Sequence, residues 1–87
     1  MILTAQKYNI AIGKSVSIGK VELLFMAWNI GSAHIIYSIE SNSVSIIFGS
    51  SGNPAIGVSA SNNNVTLTNN HTTAISAYVW IMRTPGY

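Results

Sequence analysis

Eighty-seven residues with no cysteine, 7% charged and 48% hydrophobic, are expected to form a single domain (1–87) that no disulfide or thiolate metal site can brace. Lys7, Lys14, Lys20 and Arg83 are dispersed against only Glu22 and Glu40, which excludes the clustered basic footprint of a nucleic-acid binder. The longest apolar run, residues 23–28, is far short of the ~20 residues that cross a bilayer as a helix, so no membrane insertion is expected.

The chain reads as short strands punctuated by turn clusters. Residues 8–12 alternate Tyr8, Ile10 and Ile12 against Asn9 and Ala11, and Gly13 and Lys14 end the pattern. Residues 15–18 alternate again up to Gly19 and Lys20. Residues 21–28 are apolar on both faces except at Glu22, which predicts a central strand covered on both sides. Residues 29–32 form a turn. Residues 34–40 and 43–48 then make a hairpin around Ser41 and Asn42.

Residues 49–54, with Gly49, Gly52 and Pro54, are the clearest loop. Residues 55–60 alternate, and residues 61–64 turn. Residues 65–68 form a half-buried strand that exits through Asn69, Asn70 and His71. Residues 73–82 are the last strand, and the tail 84–87 cannot extend it cleanly. Clean helical periodicity is lacking. Turn signals about every 8–12 residues predict an all-β fold: a small antiparallel β-sandwich or barrel, jelly-roll-like, of about 7–8 short strands.

The last strand bears on assembly. It is apolar on both faces, Ile75, Ala77, Val79 and Ile81 on one and Tyr78, Trp80 and Met82 on the other. A small sandwich has one interior, so a two-sided apolar strand implies a second buried surface, most simply a subunit interface. Tyr78, Val79, Trp80, Ile81 and Met82 are the expected interface residues, in a homo-oligomer expected to be a trimer. Low charge leaves little repulsion between copies.

Catalytic chemistry is nearly absent from the sequence, and no enzyme is expected. Nothing in the spacing of Glu22 and Glu40 sets them face to face as a carboxylate pair. No nucleophile elbow surrounds any serine, and Gly49-Ser50-Ser51-Gly52 lacks the lysine of a phosphate loop. His34, His71 and the two glutamates are the only conventional strong metal ligands, so neither a metal nor a cofactor is expected. Asn62, Asn63, Asn64, Asn69, Asn70 and His71 bracket one short strand and offer neutral amides suited to sugar hydroxyls. The same enrichment follows from the tolerance of Asn for turn geometry. Trp28, Tyr37, Tyr78 and Trp80 would stack on sugar rings if exposed, although aromatics within strands more often serve cores and interfaces.

The Ser/Asn/Thr-rich run 59–70 and the aromatic-aliphatic closing strand 74–83 resemble small structural proteins of tailed bacteriophages. Distal tail-fibre domains often end in such a strand after polar hairpins. The likeness covers about the last third of the chain and carries no motif from which functional residues transfer. It implies a virion protein, either a capsid decoration (cement) protein or a tail-fibre tip. Its partners would be its own copies, other virion proteins and, for a fibre tip, a cell-surface glycan. The alternative is a lectin-like sugar-binding module built on the Asn-rich loops. With no shaft sequence before Met1, a short stand-alone reading frame or an isolated tip is expected rather than a full fibre.

Overall fold

The computed structural model describes residues 2–28, 33–49 and 55–83; the expected turn 29–32, the loop residues 50–54 and the tail 84–87 lie outside them. Among the described residues there are eight strands and no helix. They are β1 (Ile2–Ile10), β2 (Ser15–Lys20), β3 (Leu23–Trp28), β4 (Ala33–Glu40), β5 (Ser43–Phe48), β6 (Ile56–Ser61), β7 (Asn64–Asn69) and β8 (Ile75–Arg83). A five-stranded sheet, ordered β1-β8-β3-β4-β5, packs on a three-stranded sheet, ordered β2-β7-β6, and every pairing is antiparallel.

A jelly roll nests first strand with last, second with seventh, third with sixth and fourth with fifth. Here the first, second and fourth of these pairs are present. The third is replaced: β3 sits between β8 and β4, and β6 pairs with β7. The β4–β5 hairpin thus continues the sheet of β3, which leaves the sandwich lopsided, five strands over three.

The period-2 pattern of each strand sets which side chains meet in the middle. Leu24, Met26 and Trp28 of β3, Ile35, Tyr37 and Ile39 of β4, and Ile75, Ala77, Val79 and Ile81 of β8 face Ile18, Ile56, Val65 and Leu67 of the smaller sheet. Burial pushes the Tyr37 phenol pKa above its ordinary 10.0. A raised folded-state pKa means that stability is intact below about pH 10 and falls as pH rises through the shifted value.

The first strand departs from the sequence expectation. It starts at Ile2 and ends at Ile10, rather than spanning 8–12. Its early residues are strand because they pair with β8 along an unbroken register from Ile2↔Arg83 to Ile10↔Ile75, a non-local cause that local alternation does not carry. Ile12, expected on the face of Tyr8 and Ile10, is exposed beyond the strand, within a turn in which the Lys14 N–H donates to the Ala11 carbonyl (3.0 Å).

Two glycines give a local test of the backbone. Gly49 has φ +97°, and a Cβ there would stand 2.6 Å from the His34 carbonyl oxygen, a backbone atom that cannot step aside. Gly13 has φ +70° with open space around it. Gly49→Ala is therefore expected to cost about 2–3 kcal/mol and Gly13→Ala about 1 kcal/mol, read as shifts in the urea midpoint. Equal shifts would mean that the close approach at His34 relaxes freely.

Candidate functional site

The outer face of the five-stranded sheet is where sequence pattern and topology leave apolar side chains without a second layer among the described residues. Cross-strand registers place Ala5, Trp80, Phe25, Ile36 and Phe48 in one row that crosses all five strands. Below it run Lys7, Tyr78, Ala27 and His34. On the other side Met82, Leu23 and Ser38 align. Trp80 and Tyr78 are 38% and 39% exposed, and Phe48 is 62% exposed. Leu23, Phe25, Ile36 and Met82 are half-buried by their neighbours.

Ring contacts fix this surface. Phe25 meets Trp80 edge-on with centroids 5.1 Å apart, and its other neighbour, His34, is tilted at 6.1 Å. The Lys7 ammonium lies 5.7 Å from the Tyr78 ring centroid, which caps one side of the row with the face's cation. The result is an aromatic ridge flanked by small and aliphatic side chains.

The expected interface residues divide between two environments. Tyr78, Trp80 and Met82 lie on the outer face. Val79 and Ile81 do not: they point into the sandwich interior and are buried against the smaller sheet, so their place among interface residues is corrected. Strand alternation is the reason, since neighbours in sequence cannot share a face. Among the aromatics considered for stacking, Trp28 and Tyr37 are core residues, and only Tyr78 and Trp80 are open.

The Asn-rich loops sit at the two ends of β7, and their amides are not equivalent. Asn62 and Asn63 have φ +51° and +65°, the pair of left-handed residues that a type I′ hairpin turn requires. The Asn63 side chain is 8% exposed and is spent on the backbone. Its Nδ2 donates to the carbonyls of Val21 (3.0 Å) and Ile39 (3.1 Å), and its Oδ1 accepts from the Ser41 N–H (3.0 Å). Its own N–H donates to the Ser41 carbonyl (2.8 Å), and its carbonyl accepts from Val21 (3.0 Å). Ser41 has φ +56°, so Asn63 clasps a left-handed serine from both sides. Around it, the Lys20 Nζ donates to the Asn62 carbonyl (2.7 Å), and the Asn62 N–H donates to Asn42 Oδ1 (2.8 Å).

At the opposite end Asn69, 2% exposed, donates through Nδ2 to the carbonyls of Ile10 (2.9 Å) and Thr73 (3.0 Å) and accepts from the His71 N–H (2.8 Å). His71 Nδ1 meets the Thr73 hydroxyl at 3.1 Å. Both donors and one acceptor position of the Asn63 and Asn69 amides are thus engaged within the fold, which leaves little of either for a ligand. Asn62, Asn64 and Asn70 are exposed and His71 is half-buried, split between the two ends. The six residues therefore form no single site.

The structure also joins two residues that spacing kept apart. Glu22 precedes β3 and Glu40 ends β4, and the β3–β4 register brings both to an open depression of about 340 Å³, shared with Leu23, Ser38, Ile39 and Asn63. These are the chain's only carboxylates. The signal lay in the hairpin register, which pairs Leu23 with Ser38 and sets Glu22 beside Ile39, where the Ile39 N–H donates to the Glu22 carbonyl (2.8 Å). Among the described residues no group of three or more His, Cys, Asp or Glu is placed to hold a metal ion. No family model matches the chain, and no curated protein or solved structure is significantly similar to it.

Proposed function

We propose that this chain is a non-enzymatic structural module that self-associates through the outer face of its five-stranded sheet, as a virion protein of the capsid-decoration or tail-fibre-tip kind. The observation that carries the self-association is the apolar row from Ala5 through Trp80, Phe25 and Ile36 to Phe48 on a face that no second layer of the described residues covers. Low charge supports it, since copies approaching through this face meet almost no like charge apart from Lys7 at its margin. The virion setting rests on the resemblance of residues 59–70 and 74–83 to small phage structural proteins. Three copies around an axis, each turning this face inward, is the arrangement proposed, with the loop ends of the sandwich left free for other virion proteins.

The test is solution mass by light scattering across a concentration series. Trp80→Asp is expected to break up the face-joined species without unfolding the 9.3 kDa chain, because a carboxylate in the middle of the row is costly to bury. A Trp80→Asp variant with unchanged mass would overturn the face as an interface.

The aromatic ridge itself favours a second reading, a carbohydrate-binding surface on the same face, because exposed indole and phenol rings stack on sugar rings. Asn63 and Asn69 no longer support such a site. A wild-type monomer whose glycan-array signal is lost on Trp80→Ala would select this reading over the oligomer.

A further inference from the structure

We infer that the free edge of β5 is a second self-association site, which takes the β5 of another copy antiparallel across a twofold axis and joins two sheets into one. The strand is the outermost of the five-stranded sheet, so one row of its N–H and C=O groups has no partner strand among the described residues. The second sheet approaches it only through β6, and that approach covers little of its side chains. Only Val44 is half-buried, while Ser43, Ser45, Ile46, Ile47 and Phe48 are exposed. Ile47 at 58% and Phe48 at 62% are among the most open large apolar side chains of the described residues.

Edge strands are ordinarily blunted by lysine, proline, bulges or small size. Two of the other three edges carry such devices. Lys7 stands in the middle of β1. Between Ser17 and Gly19 β2 is bulged, and it ends on Lys20. Half of β6 is Gly57, Ser59 and Ser61, with little apolar surface to bury. Like β6, β5 has neither charge nor proline, but it exposes Ile46, Ile47 and Phe48, and its one bulge, where Ile47 is the extra residue opposite Ile36 and Tyr37, follows a regular ladder from Ser43 to Ile46.

A second copy of the same strand is the occupant that fits. An isologous antiparallel pair sets an uncharged strand against itself with no like-charge contact, whereas β1 or β2 of a neighbour would bring a lysine and β6, half Gly and Ser, would bury little apolar surface. The pairing also extends the outer apolar row, which ends at Phe48 on this edge, directly into the second molecule. The face and the edge are separate surfaces, so face-joined oligomers become linked to one another through β5.

Solution mass separates the two. Ile47→Lys is expected to release face-joined oligomers at three times the chain mass, Trp80→Asp to leave β5-linked pairs at twice the chain mass wherever the edge holds alone, and the double variant to be monomeric. The chain has no cysteine, so Ser45→Cys gives a unique cross-link. Ser45→Cys should form a disulfide-linked pair at least about tenfold faster than Ser59→Cys on β6, because edge pairing raises the local thiol concentration. Ile47→Lys is exposed and should keep the wild-type circular dichroism spectrum. An unchanged mass for Ile47→Lys, with cross-linking of Ser45→Cys no faster than that of Ser59→Cys, would overturn the β5 inference and leave the face reading standing. Loss of association in Ile47→Lys alone, with Trp80→Asp at wild-type mass, would uphold β5 and remove the face.

Discussion

Asn63→Asp is expected to remove about half of the stability of the isolated chain at neutral pH and to return part of it in acid. The neutral amide donates to two buried carbonyls and accepts from one N–H. A carboxylate keeps the acceptor but aims negative charge at the Val21 and Ile39 oxygens in a site that is almost closed to water. Breaking such a site and leaving a charge there costs about 3–5 kcal/mol, against a total stability of roughly 5–10 kcal/mol for a domain of this size. Protonation removes the charge and restores one donor. The new group therefore has a raised folded-state pKa, and the sign follows: stability is greatest below the unfolded carboxylate pKa near 3.9 and is lost as pH rises through the raised value. Urea midpoints at pH 4 and pH 7 measure this. A midpoint that is unchanged from wild type at pH 7 would mean that Asn63 is dispensable. Asn63→Ala, which leaves the same three backbone groups orphaned without a charge, should cost about 3 kcal/mol at either pH.

Leu24→Ala should be comparably severe, through a different cause. Leu24 is fully buried at the centre of β3, between β8 and β4 and over the smaller sheet. Truncation removes its transfer energy and leaves a cavity, together about 3–5 kcal/mol, which for a domain of this size lowers Tm by roughly 15–30 °C. Its neighbour Leu23 points to the outer face and is half-buried. Leu23→Ala should cost a monomer under about 1.5 kcal/mol, and more only as concentration rises and that face is covered. Thermal melts of both variants at two protein concentrations read the core and the outer face separately. A mild loss from Leu24→Ala would mean that the core collapses around the missing side chain.

Much of this architecture was legible because alternation is a local property. Both hairpins, around Ser41 and Asn42 and around Asn62 and Asn63, are marked by turn residues between apolar runs, and the two-sided character of β3 and β8 follows from composition. What escaped the sequence was decided by partners far along the chain. The early residues of β1 are a strand because β8 pairs with them, and Ala5, Gln6 and Lys7 show no apolar face of their own. Three consecutive asparagines look alike in a sequence, yet a type I′ turn rotates only Asn63 inward, where Val21, Ile39 and Ser41 converge. The same holds for Asn69 beside Asn70. Glu22 and Glu40 were read as unrelated, and only the hairpin register makes them neighbours.

The placement of β8 between β1 and β3 has a consequence for how the protein is made. A chain emerging from the ribosome exposes β1 first, and that strand has no sheet partner until the final strand has been synthesised. β3 likewise has only β4 beside it until then, with Leu24 and Met26 uncovered. Vectorial folding therefore stalls at a partial sheet, and the native sandwich closes in one late step when β8 slots into the gap. The nascent chain carries its unguarded β5 through that whole interval, so the yield of soluble protein should fall with any delay in β8 joining the sheet.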